Sequence, residues 1–314
     1  MSYLIGRRHR DGRRVPCLRG PDGVVRDASG RVADWAGPAL DPRFLADLEE
    51  ELLARPATLP PLSGPPGHAL LPMAGGRTLA CVGQNFVAHA AEASLAPPAE
   101  PTVYLKPFYT LVPSGTRVVL PRDCRTVTWE GELAVVIGRA AHRLPDPDAA
   151  AAVVAGYAPS NDLGDCDWLL HRGGQWVKGK AFPGFNPLGR WLLVGHARHP
   201  GPAVTLVTRV NGRLVQRAAL REMTWSPAHL VWYTSQFLCL APGDVLNCGT
   251  PAGTALATGA YLRPGDRVEV TVDGVGRQLI SLVAPAAALP TRTAVRQPDP
   301  APSGGSARCG DAPT

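Results

Sequence analysis

The sequence predicts an α+β protein that is built mainly of β-sheet. From about residue 76 to residue 285 the chain consists mostly of short apolar segments with few long helical patterns. Within that stretch, the steps Asn211-Gly212 and Asp273-Gly274 each lie between two strand-like segments. Because Asn-Gly and Asp-Gly favour the tight turns of β-hairpins, these two regions predict antiparallel strand pairs.

The flanking segments have a different character. Residues 1–75 predict a small N-terminal α+β domain, and residues 286–314, which are rich in Pro, Ser and Gly, predict a disordered tail. In the N-terminal domain Asp41 can cap a helix whose predicted apolar stripe is Phe44, Leu45, Leu48, Leu52 and Leu53. The main domain, residues 76–285, has two helical candidates, at 146–155 and at 226–238.

Composition excludes several classes of protein. With 314 residues and 45% apolar composition the chain can bury a full core, and it contains no uncharged apolar run long enough to span a membrane or to act as a secretory signal. We therefore expect a cytoplasmic protein. The seven cysteines are scattered without a C-x-x-C pair, which argues against disulfides and zinc. The net charge of +6 is spread along the chain, so nucleic-acid binding is not expected.

Lysine is rare in this sequence. Of the 32 basic residues only Lys106, Lys178 and Lys180 are lysines. A lysine carries a compact, titratable ammonium group that arginine does not mimic. These positions are therefore worth examining, although three cases are also compatible with chance.

The stretch "TWEGELAVVIG", residues 128–138, places Glu130 and Glu132 at the start of an apolar strand. In a strand, residues i and i+2 point to the same side about 7 Å apart, so both carboxylates can reach one cation. Asp162, in the polar loop "SNDLGD", is the best third ligand. Three carboxylates with open positions suit Mg²⁺ or Mn²⁺, and oxygens more than about 5 Å apart would exclude such a site. The alternative is a solvated strand end paired with arginines, together with an Asx-turn at Asp162.

Three other patterns carry potential chemistry. His89 and Glu92 lie three residues apart, so on a helical turn Glu92 can orient His89 as a general base. Lys180 lies in a Gly/Pro-bounded turn, where it could stabilise an enolate or a carboxylate. Thr250, in "GTPAG", offers a hydroxyl beside glycines that permit close backbone approach. A surface His/Glu pair, an exposed lysine and a simple tight turn are the ordinary alternatives.

Taken together and in order, these pieces resemble the fumarylacetoacetate hydrolase family. The matching stretches are "VGQNFVAHAAE", "YLKP", "WEGELAVVIG", "GYAPSNDLGD", "GKAFPGFNPLG", "VNGRLVQ", "LAPGDVLNCGTPAG" and "LRPGDRVEV". The resemblance implies a mixed β-roll fold, usually dimeric, with a small N-terminal domain. It also implies a Mg²⁺ or Mn²⁺ ion held by Glu130, Glu132 and Asp162.

The resemblance further implies a reaction. Family members act on 2-oxo acids and β-dicarbonyl compounds, typically by hydrolysing a C–C bond. His89 and Glu92 match the dyad that activates water, Lys180 matches the active-site lysine, and Thr250 matches a substrate-contacting threonine. We add Gln216, from the stretch "VNGRLVQ", as a further substrate-binding candidate. The implied function is a metal-dependent hydrolase that cleaves a C–C bond of a β-dicarbonyl or acylpyruvate-like substrate through an enolate stabilised by the metal.

Two other functions are compatible with the same residues. A decarboxylase, hydratase, dehydratase or isomerase of a 2-oxo acid, in specialised metabolism, would use the same enolate without hydrolytic attack of water on a carbonyl. A binding protein could keep the fold without turnover.

Departures from the family pattern concern substrate recognition. Cys166 stands where the family commonly has an arginine able to bind a substrate carboxylate, Pro183 replaces an acid, and Arg190 replaces a proline. Arg172 and Arg190 are the candidates to replace the missing guanidinium. The alternative is a larger, less acidic substrate. Cys166 has no adjacent base, so a nucleophilic role is not expected.

Overall fold

The computed structural model describes residues 3–55, 58–63, 70–92, 98–195 and 199–286. The predicted disordered tail therefore lies outside the described residues, apart from residue 286. The strands of the described residues are β1 (Tyr3–Arg10), β2 (Arg13–Arg19), β3 (Val25–Asp27), β4 (Leu79–Gly83), β5 (Thr102–Lys106), β6 (Leu111–Pro113), β7 (Arg117–Val119), β8 (Val127–Thr128), β9 (Gly131–Ile137), β10 (Val154–Asn161), β11 (Gly164–Asp165), β12 (Asn186–Leu188), β13 (Trp191–Val194), β14 (Thr205–Val210), β15 (Arg213–Ala219), β16 (Val245–Asn247), β17 (Arg267–Val272) and β18 (Gly276–Val283).

Helices are few and mostly short. They are α1 (Pro42–Ala54), α2 (Val87–Glu92), α3 (Pro147–Ala151), α4 (Val177–Lys180), α5 (Pro227–Ser235) and α6 (Ala255–Thr258), with short 3₁₀ turns and one π-helical turn (Asp167–His171). Sheet thus dominates, which confirms the predicted α+β, mainly β class. No helix of the described residues has the length and apolar content needed to cross a membrane.

Two sheets form the frame of the molecule. An 11-stranded sheet has the main order β3-β2-β1-β13-β10-β9-β16-β4-β5, with β12 and β6 attached through β10. A five-stranded sheet has the order β15-β14-β17-β18-β7. Strand β9 is buried along its whole length: Ala134 and Val136 pack in one core cluster, and Leu133, Val135 and Ile137 in another. An all-apolar strand in the middle of a sheet must be covered on both faces, and these two clusters cover both faces of β9.

Both predicted hairpins are present. β14 pairs with β15 around Asn211 and Gly212, which have φ values of 51° and 83°. Positive φ at both central residues is the geometry that Asn-Gly favours. β17 pairs with β18 around Asp273 and Gly274.

The helix predictions were less accurate at their ends. Ser226 and Asp41 cap their helices as predicted, through hydrogen bonds from His229 N and Arg43 N. However, the candidate at 146–155 ends at Ala151, because Val154 already belongs to β10. The predicted stripe on α1 was wrong at Leu53, whose side chain is 50% exposed.

The N-terminal segment shares the main sheet. β1 pairs with β13 in antiparallel fashion, and Leu45, Leu48 and Leu52 of α1 pack in the same core cluster as β9 and β10. The predicted boundary near residue 75 therefore separates two segments that share one sheet and one core.

Candidate active site

The three candidate metal ligands come together through the pairing of β9 with β10. In the register of these strands Ser160 faces Glu132 and Asn161 faces Gly131, so the next step brings Asp162 opposite Glu130. The Asp162 amide donates to the Glu130 carbonyl at 2.9 Å, which continues the ladder by one residue. One oxygen of each of Glu130, Glu132 and Asp162 lies within 4.8 Å of the others. The spacing meets the limit of about 5 Å for ligands of one ion.

Two residues that the sequence did not assign to the site support Asp162. Tyr104 and Lys106 alternate on β5 and so point to the same face. Lys106 Nζ donates to Asp162 Oδ1 at 2.5 Å and to the Phe185 carbonyl at 2.8 Å, and the Tyr104 hydroxyl donates to Asp162 Oδ2. The rarity of lysine in the sequence could have pointed to Lys106, whereas no feature of the sequence points to Tyr104.

Lys180 bridges the carboxylates. Its Nζ donates to Glu130 Oε2 at 2.6 Å and to the Asp162 carbonyl at 2.7 Å, and it lies 3.4 Å from Asp162 Oδ2. The side chain is 2% exposed. Burial alone would lower the pKa of Lys180, but the Asp162 and Glu130 carboxylates outweigh burial and raise that pKa. Lys180 is therefore a permanent positive charge in the site.

The charges of the site fit a divalent cation. Three carboxylates face two ammonium groups, Lys106 and Lys180, which leaves one negative charge uncompensated. The deficit falls on Glu132, since burial, and then the charges of Asp162 and Glu130, raise the pKa of Glu132 well above its usual range. A donor set of three carboxylate oxygens is the type that Mg²⁺ and Mn²⁺ prefer.

A glycine-rich turn after β16 orients two carboxylates with its backbone. The Gly249 amide donates to Glu132 Oε2 and the Gly253 amide donates to Glu92 Oε1, each at 2.7 Å. Both glycines have positive φ, 92° and 99°, where a side chain would be strained. The turn thus contacts both the candidate metal ligands and the candidate dyad.

Thr250 and Gln216 tie this turn to the strand that carries the glutamates. The Thr250 hydroxyl donates to the Gly131 carbonyl at 2.9 Å. Gln216 accepts from the Gly131 amide at 3.0 Å and donates to Thr250 Oγ1 and the Pro251 carbonyl, both at 2.8 Å. Gln216 is 1% exposed and is not among the residues that line the cavity next to the triad, so its contacts position the neighbouring backbone, and a substrate role for it stays a prediction. Thr250 lines the cavity.

His89 and Glu92 lie side by side on α2, as their spacing predicts. His89 Nδ1 is 3.6 Å from Glu92 Oε2, which is longer than a hydrogen bond, and each of these atoms is buried without a hydrogen-bond partner. Catalytic contacts are often long in the absence of substrate. Since the Gly253 amide fixes the other oxygen of Glu92, a small rotation of the His89 side chain is enough to bring His89 Nδ1 within hydrogen-bond distance of Glu92 Oε2.

One cavity joins most of these residues, and Arg172 is not among those that line it. His89, Tyr104, Glu130, Glu132, Lys180 and Thr250 line the cavity. The Arg172 guanidinium instead binds Asp167 at 2.8 Å and lies 3.9 Å from the centre of the Trp168 ring. A substrate role for Arg172 stays a prediction.

The three departures from the family pattern lie in different places. Cys166 lines the cavity, and burial raises the pKa of its thiol to about 12, so the thiol is neutral. Arg190 lines a separate groove with Arg19 and Arg277. Pro183 is exposed. Of the three, only Cys166 touches the candidate site.

Comparison with known proteins identifies the family. Residues 78–282 match the model of the fumarylacetoacetate (FAA) hydrolase C-terminal domain. A relative from Burkholderia ambifaria, named as a hydrolase without a stated substrate, is 36% identical over 275 residues, which cover 86% of this chain and 95% of the relative. The chain belongs to the fumarylacetoacetate hydrolase family.

Solved structures similar to this one include enzymes of two kinds. A 5-carboxymethyl-2-hydroxymuconate delta-isomerase from Mycobacterium smegmatis has a TM-score of 0.69 and 28% identity, and the match covers 90% of this chain and all of that one. A fumarylpyruvate hydrolase from Pseudomonas aeruginosa, in complex with Mn²⁺ and pyruvate, has a TM-score of 0.62 and 28% identity over 71% of this chain and 99% of that one. The family thus contains both isomerases and hydrolases.

Proposed function

We propose that the protein is a Mg²⁺- or Mn²⁺-dependent hydrolase that cleaves a C–C bond in a β-dicarbonyl or acylpyruvate-like substrate. The observation that carries the proposal is that Glu130, Glu132, Lys180 and His89 line one cavity, while a carboxylate oxygen of the buried Asp162 lies within 4.8 Å of an oxygen of each glutamate. The fumarylpyruvate hydrolase that resembles this chain was solved with Mn²⁺ and pyruvate, which supports both the metal and the chemical class of the substrate.

Each residue has a defined task in this reaction. Glu130, Glu132 and Asp162 would hold the ion, which supplies Lewis-acid polarisation of the substrate oxygens when it is bound. His89 takes a proton from water, and Glu92 holds the imidazole in orientation. The hydroxide adds to the carbonyl and the C–C bond breaks, with its electron pair left on the enolate, whose negative charge the Lys180 ammonium stabilises. The proton held by His89 then passes to the enolate carbon, which completes the second product. Thr250 faces the cavity beside the triad, where its oxygen can contact substrate.

The test combines product analysis with variants. Acylpyruvates incubated with the protein and Mn²⁺ should yield two carboxylic acids by mass spectrometry, and EDTA should abolish the reaction. His89→Ala should lower kcat about 10²- to 10⁴-fold, the usual effect of losing a general base. His142→Ala changes an exposed histidine outside the site and should leave the rate unchanged. Full activity in EDTA, or a normal rate for His89→Ala, would exclude the mechanism.

Metal binding can be measured separately from turnover. Glu132→Gln keeps the shape of the side chain but removes the charge that the ion neutralises, so Mn²⁺ affinity should fall at least about 100-fold by calorimetry. Glu222→Gln, at an exposed carboxylate distant in sequence from the triad, is the matched control. Equal Mn²⁺ affinity in the two variants would show that the ion binds elsewhere.

An isomerase or lyase is the second candidate, because the resembling structures include an isomerase. Enolate chemistry needs the triad and Lys180 but no attack by water. Such an enzyme would release CO₂ or water, or rearrange its substrate, and His89→Ala would retain much of that activity.

We also propose that the protein is a cytoplasmic homodimer. Strand β5 is an edge strand of the large sheet; Leu105 on β5 is 46% exposed, and Tyr109, in the 3₁₀ turn that follows it, is 62% exposed. Light scattering coupled to size-exclusion chromatography tests the oligomeric state.

A further inference from the structure

The residues that line the cavity fall into two chemical groups. One group carries the proposed chemistry. The other, called the apolar wall, consists of uncharged and mostly aliphatic or aromatic side chains: Val82, Cys166, Leu169, Leu170, Trp176 and Leu256. A ligand whose polar end reaches the carboxylate triad therefore has its other end against apolar surface.

Two neighbouring segments, residues 166–170 and the start of α4, supply four of the six residues of this apolar wall. The π-helical turn Asp167–His171 carries Leu169 and Leu170 into the cavity, and such turns often occur at functional sites. Helix α4 lies close against that turn because Gly179 has no side chain: a Cβ there would come within 2.7 Å of Leu169 Cβ.

Trp176, which precedes α4, is held in place from two sides. It packs on Gly83, where a Cβ would approach the indole to 2.4 Å, and Tyr104 meets it edge-on at 5.5 Å. The indole therefore has little freedom to move away from the cavity.

The apolar wall has no positive charge to bind a second carboxylate. Among the described residues that line the cavity, the basic side chains are Lys180 and His89. Lys180 is already bound to Glu130 and to the Asp162 carbonyl, and His89 faces Glu92. The nearby Arg172 guanidinium is engaged by Asp167 and Trp168. A carboxylate buried against this wall would therefore be unpaired, which is strongly unfavourable.

We propose that the substrate ends in an uncharged, apolar tail, alkyl or aryl, and that Cys166, Leu170 and Trp176 select against substrates with a carboxylate at that end. The inference rests on the proposed function for the orientation of the substrate, since that function places the chelating end at the triad. Each tail methylene buried on the wall strengthens binding about fourfold.

The test compares two ligands that differ only at the tail. 2-Oxooctanoate and 2-oxooctanedioate share the chelating end and the chain length, and neither contains the 1,3-dicarbonyl unit that hydrolysis requires. Calorimetry on the Mn²⁺-loaded protein should show that the monoacid binds at least about tenfold more tightly than the diacid. Shortening the monoacid to 2-oxohexanoate should weaken binding about 15-fold, the loss expected for two methylenes.

Two variants test which residues set the preference. Cys166→Arg places a guanidinium at a buried position of the apolar wall, and Leu170→Arg places one at a position that is 38% exposed, where an arginine is easily accommodated. Each should reverse the preference in favour of the diacid. Leu53→Arg adds the same charge at an exposed position of α1 and should leave the ratio of affinities unchanged.

The outcomes separate this inference from the proposed function. A diacid that binds the unaltered protein as tightly as the monoacid overturns the inference, and so does a folded Leu170→Arg protein with an unchanged ratio. If the monoacid binds preferentially but no acylpyruvate is hydrolysed, the tail specificity stands and the hydrolase proposal fails. Failure of both acids to bind overturns the inference together with the orientation on which it rests.

Discussion

At the residue scale, the rare lysines of the chain are concentrated at the carboxylate triad. The chain has three lysines, and Lys106 and Lys180 both lie buried against the carboxylate triad. Lys178, in contrast, is exposed and donates to the Arg172 carbonyl. A buried ammonium group beside a carboxylate compensates a charge that would otherwise be very costly to bury. The two buried lysines are therefore part of what makes this acidic site possible in a folded protein.

Replacement of Lys106 tests that compensation. Lys106→Met keeps the aliphatic volume but leaves Asp162 without its closest cation, so the free energy of unfolding should fall by about 3–5 kcal/mol. Lys178→Met should change it by less than about 0.5 kcal/mol, since surface substitutions have small effects. Urea denaturation of the apo-proteins measures both. If the Lys106→Met protein were as stable as the unaltered one, Lys106 would not be compensating the charge of Asp162.

The pH dependence of this contribution follows from the sign of the Asp162 shift. Burial would raise the pKa of Asp162, but Lys106 and Lys180 outweigh burial and lower it. A lowered carboxyl pKa stabilises the folded state above the unfolded value of about 3.9 and loses that effect as the pH falls through the folded value. The difference between the Lys106→Met protein and the unaltered one should accordingly be present at neutral pH and shrink in acid.

At the element scale, the site depends on the register between β9 and β10. A shift of one residue would move Asp162 to the other face of the sheet, away from both glutamates. Gly131 keeps β9 close to the five-stranded sheet, because a Cβ at that position would come within 2.0 Å of Thr208 Oγ1 on β14. The small residue between the two glutamates thus has a packing role of its own.

A pair of substitutions tests this close approach. Gly131→Ala should destabilise the protein by about 1–3 kcal/mol through overpacking. Adding Thr208→Ala removes the clashing oxygen, which is buried and makes no hydrogen bond, so the double variant should recover most of the loss. Gly201→Ala, where nothing lies within 4 Å of the new Cβ, is the control. Simple additivity of the two changes would contradict the clash.

The sequence predicts the local parts of this site well and their assembly poorly. The spacing of Glu130 and Glu132, the helical turn of His89 and Glu92 and both hairpins follow from short-range rules. The pairing of Asp162 with Glu130 depends on the path of residues 138–153 and on a bulge at Val154–Gly156, which no local pattern encodes. The polar loop around Asp162 and the family resemblance both suggested Asp162 as the third ligand, but no spacing in the sequence predicts that it pairs with Glu130.

The contacts of Tyr104 and Lys106 with Asp162, and the end of the helix predicted at 146–155, depend on strand pairing that the local sequence does not specify. Tyr104 and Lys106 contact Asp162 from a strand about 56 residues away, so only the sheet order brings them together. The helix predicted through residue 155 was too long because Val153, Val154 and Ala155 are equally compatible with helix and strand until β9 offers a partner.

At the scale of the whole molecule, the N-terminal segment and the main domain share one core. Tyr3, Ile5 and Leu45 pack in the same cluster as Ala134 and Val136 of β9. Because neither side can lose this contact without exposing apolar surface, we expect them to unfold together.

Substitutions on α1 test this cooperativity. Leu45 is 2% exposed, so Leu45→Ala should lower the free energy of unfolding by about 2–5 kcal/mol, whereas Leu53→Ala, on the same helix, should cost much less. Circular dichroism and tryptophan fluorescence should report one coincident transition in each case. An early, separate transition in Leu45→Ala would instead favour an independent N-terminal domain.

The glycine-rich turn after β16 has a consequence for how this site can change. The hydrogen bonds that orient Glu132 and Glu92 come from the peptide groups of Gly249 and Gly253, and substitution of any other side chain leaves those donors in the chain. Between them, Ala252 is partly exposed and makes no side-chain hydrogen bond. Substitution of Ala252 should therefore leave Glu132 and Glu92 in their present orientation.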